Sequence, residues 1–135
     1  MAAGKEIAIY YVPEKSDTDR AVKSVLVRMG VRIRNADRTQ IHQTVGYLAG
    51  LQGFEACAQE DDGGEIPERM LVLYGFGNRR LNELLRQLRR AGAPQDMFKA
   101  ILTGHNSVWT LLKLYGELKS EAEALGDGGA APSEE

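Results

Sequence analysis

The sequence predicts an α/β fold, two βαβα repeats forming a four-stranded, mainly parallel sheet with helices packed on it. Three observations predict it. Short apolar runs bounded by turn residues alternate with amphipathic stretches. The order strand, helix, strand, helix occurs twice. Both copies also carry a helical stripe followed by a glycine: Val22, Val25, Leu26 and Met29 before Gly30, then Leu81, Leu84, Leu85 and Leu88 before Gly92.

In the first repeat (1–51), "EIAIYYV" (6–12) reads as a buried strand and 17–29 as the first helix. "VRIRN" (31–35) alternates, which places it at a sheet edge with Arg32 and Arg34 facing out. A second helix is expected over 39–51, capped by Thr39. Residues 52–69 are acidic and Gly-containing, as an exposed connection is, and "FEACAQ" within them could add a short edge strand. The second repeat (70–124) predicts strands at 70–76 and 98–103 and helices at 79–91 and 106–124, the last capped by Asn106. "TQIHQTVGYLAGL" (39–51) lies over "NSVWTLLKLYGEL" (106–118) without a gap. The tail, 125–135, lacks the apolar residues that order a segment and is expected to be disordered.

Two arrangements bury both repeats. The favoured one is a parallel sheet in the order 2-1-3-4 with helices on both faces, because a helix over 39–51 is long enough to cross back over strand 1. Its switch point lies between strands 1 and 3, where open α/β sheets bind ligands. The lips of that cleft would be "PEKSD" (13–17) and "GFGN" (75–78). The other arrangement pairs the central strands antiparallel about a pseudo-twofold axis.

Composition narrows the function. A chain of 135 residues supports a core without staples, and a single cysteine excludes an internal disulfide. No stretch approaches the ~20 apolar residues of a membrane span. The opening "MAAGKEIAIYYV" has no apolar run of signal-peptide length, so the cytoplasm is expected. The net charge of −2 hides an asymmetry. Residues 69–119 carry nine bases against three acids, whereas 57–68 and 120–135 carry five acids each. The predicted folded parts are therefore basic, and a small anion or a protein is the expected partner, with a homodimer possible.

The candidate anion site starts at "YGFGNRR". Gly75 and Gly77 permit close backbone approach around Phe76, Asn78 is a competent N-cap, and Arg79 stands in the first helical turn. The motif is neither a Walker A loop nor a full G-x-G-x-x-G, so a plain strand-to-helix corner is the competing reading. Lys15 and Ser16 offer charge and a hydroxyl from the opposite lip, and His105, Asn106 and Trp109 stand at the neighbouring strand end. An enzyme would have to use Cys57 or His105, yet nothing local supports a Cys-His pair. No ligand pair has metal spacing, "EDDGGE" (60–65) lacks the alternation of a calcium loop, and no cofactor motif is present. The basic helix 79–90 permits nucleic acid, but neither stacking aromatics nor a recognisable module accompanies it, which argues against that partner.

"MLVLYGFGNRRLNELLRQLRRAG" followed by "KAILTGHNSVWTLLKLYGELKSE" resembles domain of unknown function 3783, an uncharacterised family of clostridial-type bacteria. The resemblance covers most of residues 38–121. Leu73-Tyr74-Gly75-Phe76, Leu102-Thr103, Asn106, Trp109-Thr110 and Leu114-Tyr115 carry it. It implies a bacterial cytoplasmic protein and supplies no activity, cofactor or catalytic residue.

Overall fold

The computed structural model describes residues 6–56, 64–93 and 97–125. Four strands form one mixed sheet: β1 (Ile7–Tyr11), β2 (Arg32–Ala36), β3 (Met70–Tyr74) and β4 (Phe98–Ile101), in the order β2-β1-β3-β4. The strand order is the one the sequence favours. The central pairing belongs to the other arrangement: β1 runs antiparallel to β3, while β1–β2 and β3–β4 are parallel.

The reason lies in the second predicted helix. It breaks into a 3-10 turn at Arg38–Gln40 and a five-residue helix, α2 (Val45–Ala49). Five residues rise about 7.5 Å, too little to carry the chain back along a strand of roughly 16 Å. β3 therefore starts at the end of the sheet where β2 stopped. Thr39 caps nothing. Asp37 caps the 3-10 turn, accepting from the Thr39 amide at 2.9 Å, and Thr44 Oγ1 caps α2 through the Tyr47 amide at 3.3 Å. Asn106 likewise shapes a turn, and α4 (Leu111–Leu125) is capped by Thr110, whose Oγ1 accepts from the Lys113 amide.

The repeats match one residue out of the register expected. Thr44 faces Thr110 in an antiparallel bridge, flanked by the Val45 amide on the Trp109 carbonyl and the Leu111 amide on the Gln43 carbonyl. Thr44 thus corresponds to Thr110, an offset that the superposition of Thr39 on Asn106 misses. With Ile9 opposite Val72 at the centre of the β1–β3 pair, the two units are related by an approximate twofold axis normal to the sheet.

Each face has its own core. α1 (Thr18–Arg28) and α3 (Asn78–Arg90) bury Val22, Leu26, Leu84 and Leu88 against Ala8, Tyr10, Leu71 and Leu73. Both helices end as expected, with Gly30 at φ +75° and Gly92 at φ +82°. On the other face α2 and α4 cover Ile9, Tyr11, Met70 and Val72. The connection is not wholly exposed: Ile66 lies in this second core, and its carbonyl accepts the Tyr11 hydroxyl at 2.9 Å. Phe54–Ala56 form no strand, and the rest of "FEACAQ", with Cys57, falls outside the described residues, as does the tail from 126. The Phe54 ring rests on Gly46, where a Cβ would stand 2.6 Å from it.

Candidate functional site

The antiparallel centre divides the expected cleft. Ile7 pairs with Tyr74 and Tyr11 with Met70, so the carboxyl ends of β1 and β3 point to opposite ends of the sheet. Lys15 and Ser16 follow β1 at one end. Gly75, Phe76, Gly77, Asn78 and Arg79 follow β3 at the other, where the Leu102 amide on the Leu73 carbonyl brings the end of β4, and His105 and Asn106 beyond it, alongside. The two lips do not meet.

At the β3 end the predicted residues are engaged in local structure. Gly75 takes φ +85°, a conformation that disfavours side chains, whereas Gly77 is an extended N-cap of α3 and Asn78 its first residue. The Asn106 side chain accepts from the Thr103 amide at 2.9 Å and donates to the Ile101 carbonyl at 3.0 Å, which ties the loop to the strand it leaves. The His105 ring meets Trp109 edge-on at 5.3 Å, and Lys113 Nζ stands 5.0 Å from the Trp109 ring centroid. Arg80, next to the predicted Arg79, reaches across the axis to Glu6 at the start of β1, with Nε 2.8 Å from Oε2, and to the Met29 carbonyl at 2.6 Å.

The β1 end carries a groove of about 790 Å³ between α1 and the edge strand β2, at the carboxyl ends of the parallel pair β1–β2. Lys15 and Ser16 line it, as do Arg20, Lys23 and Arg28 along α1 and Asn35 from β2. Its apolar side chains include Val12 and Val27, the latter 67% exposed. Two acids also line it, and both have partners. Asp37 is occupied by Thr39. Asp19, which sequence reasoning did not single out, is buried beneath the groove.

Asp19 anchors the wall. Its Oδ1 accepts from the Tyr10 hydroxyl at 2.7 Å and from Arg69 Nε at 2.8 Å, and its Oδ2 accepts from the Ser16 amide at 2.9 Å. Arg69 also donates to Ser16 Oγ at 2.7 Å and to the Glu14 carbonyl at 3.1 Å, so one guanidinium fixes the loop after β1. Burial opposes the charge on Asp19, but the hydrogen bonds from Arg69, the Ser16 amide and Tyr10 outweigh it and hold the carboxyl below its ordinary range. Burial, reinforced by the Asp19 carboxylate, pushes the Tyr10 hydroxyl far above its ordinary value. Among the described residues no acid pairs with Lys15, Arg20 or Lys23. The sequence held one signal for this network: Asp19 falls three residues before Val22, on the buried stripe of α1, where an acid needs a partner. Arg69 gave none, since it sits at the edge of the connection.

Among the described residues no group of three or more His, Cys, Asp or Glu could hold a metal ion, and no helix is long and apolar enough to cross a membrane. No curated protein matches the chain. No solved structure matches it either. A family model does: residues 69–125, from the arginine that anchors the groove wall to the end of α4, match the family described as Domain of unknown function (DUF3783).

Proposed function

We propose that this chain is a small, non-catalytic cytoplasmic module that binds an anionic ligand in the groove between α1 and β2. One observation carries this: Lys15, Arg20, Lys23 and Arg28 line a groove with two acids, one of which, Asp19, is already neutralised by Arg69, leaving an excess of positive charge. The volume is within the ~300–1,000 Å³ of small-molecule sites. The cytoplasm suits a chain with one cysteine.

A thermal-shift screen against phosphate, nucleotides, sugar phosphates and carboxylates tests it. A ligand at a hundred times its Kd stabilises the native state by about 2.7 kcal/mol. Arg20→Ala with Lys23→Ala, at an exposed and a half-buried position of α1, is expected to abolish the shift without lowering the basal Tm by more than ~2 °C. A screen in which no anion stabilises the chain, or a hit that the double variant keeps, refutes this site.

A further inference from the structure

We propose that the ligand of this groove is a phosphate monoester on an aliphatic body. This rests on the reading above, that the groove takes an anion. The charge argues for phosphate over carboxylate. Lys15, Arg20, Lys23 and Arg28 present four cations, against which Asp37, held only by the neutral donors of Thr39, sets one negative charge; the buried Asp19 beneath them is already neutralised by Arg69. A single carboxylate leaves most of that charge unmatched, whereas a phosphate monoester carries close to two negative charges and three acceptor oxygens at neutral pH. Hydroxyl and amide donors stand by: Ser24 Oγ accepts from Arg28 at 3.1 Å, which leaves its own proton to give, and the Asn35 amide faces the same space.

The rest of the lining specifies the body. Val27 stands 67% exposed at the groove, with the half-buried Val12 beside it. An inorganic ion covers none of this surface. A nucleobase finds no exposed aromatic ring to stack on, because the aromatic of the lining, Tyr10, is fully buried with its hydroxyl committed to Asp19. Methyl groups beside a cationic cluster suit a short alkyl chain carrying a phosphate. Burial of about three methylenes strengthens binding on the order of fiftyfold.

The test is calorimetric titration of the full chain with n-hexyl phosphate, inorganic phosphate, hexanoate and adenosine monophosphate. We expect hexyl phosphate to bind at least ~10-fold more tightly than each of the other three. Val27→Ser, at an exposed position that folding does not need, is expected to remove the preference over inorganic phosphate while leaving Tm and phosphate affinity unchanged. Hexanoate equal to hexyl phosphate overturns the phosphate assignment, and adenosine monophosphate the tighter overturns the aliphatic body. In both cases the anion site itself survives. A preference that Val27→Ser keeps overturns the place assigned to the chain. If none of the four binds, both this inference and the anion site fall.

Discussion

Arg69→Met is the sharpest perturbation of this architecture. Arg69 comes from the start of the second unit, yet it holds Asp19 on the first helix and the Ser16 hydroxyl and Glu14 carbonyl of the loop before it. Removing one partner of a fully buried ion pair costs about 3–5 kcal/mol. Here the Arg69 and Asp19 side chains keep 19% and 12% of their exposure, and Asp19 retains the Tyr10 hydroxyl and the Ser16 amide. The loss should therefore be about 2–3 kcal/mol, near that of one strong charge-assisted hydrogen bond. At roughly 4 °C per kcal/mol for a domain of this size, Tm falls by about 8–12 °C. The pH dependence separates this mechanism from lost packing. The folded-state carboxyl of Asp19 is depressed, so its contribution is full above the unfolded value of about 3.9 and is lost as pH falls through the lower folded value. Without Arg69 that carboxyl loses the strongest of the hydrogen bonds that depress it, so the variant has less of this contribution to lose on acidification. Urea denaturation of both proteins from pH 7 to pH 2.5 should show the stability gap narrowing as the solution is acidified past pH 4. A gap under about 0.5 kcal/mol at pH 7, or one that stays constant to pH 2.5, would falsify the assignment of Arg69 as the anchor of the wall.

Three further outcomes follow from the geometry. Arg80→Met should cost less than Arg69→Met, under about 1.5 kcal/mol by denaturation, because the Arg80 side chain is 43% exposed even though Glu6 beneath it is buried; an equal cost would show that exposure does not rank the two pairs. Thr44→Ala and Thr110→Ala should each cost about 1 kcal/mol as lost caps by denaturation, and together they should add, since their bridge is made by main-chain hydrogen bonds that both variants keep; a loss below about 0.3 kcal/mol at either site counts against the cap. Leu84→Ala, fully buried, should cost ~2–5 kcal/mol, whereas Val27→Ala should stay within ~0.5 kcal/mol.

What the sequence disclosed was what periodicity and turn chemistry encode locally. The stripes of α1 and α3 and the glycines that end them are direct consequences of helical spacing, and the apolar strands announced a sheet buried on both faces. The order 2-1-3-4 rests, in the sequence, on a helix over 39–51 that could cross back over β1; the order holds although that helix does not form, and Arg34, expected to face out at the edge, lies on the face of Ile9 and donates to the Leu48 carbonyl at 3.2 Å. Strand direction across the centre was not encoded in any one segment. It turned on whether residues 39–51 formed one helix. "TQIHQTVGYLAG" has the apolar spacing of a helix, but Thr44 stops the pattern by capping α2 and pairing with Thr110, a contact 66 residues away. The groove was half legible for the same reason. Lys15 and Ser16 were visible as a loop beyond a strand, while Arg20, Lys23 and Asn35 joined them only through the packing of α1 beside β2.

The twofold relation gives the charge asymmetry a structural meaning. At one end of the sheet Arg69 of the second unit holds Asp19 of the first, and at the other Arg80 holds Glu6. The first unit supplies both acids and the second both arginines. Two copies of the second unit, paired through β3 as β1 and β3 pair, would set arginines at those places with no acid opposite. They would also leave Leu71, Leu73, Met70 and Val72 without the β1 surfaces that complete both cores. The matched segment, residues 69–125, is therefore expected not to fold by itself. Expressed alone it should show weak helical circular dichroism and no cooperative thermal transition, and adding residues 1–56 in trans should restore both if the ion pairs and cores reassemble. A folded monomer of 69–125 with a cooperative transition would show that β3 needs no partner strand, and the two units would then be independent domains placed side by side.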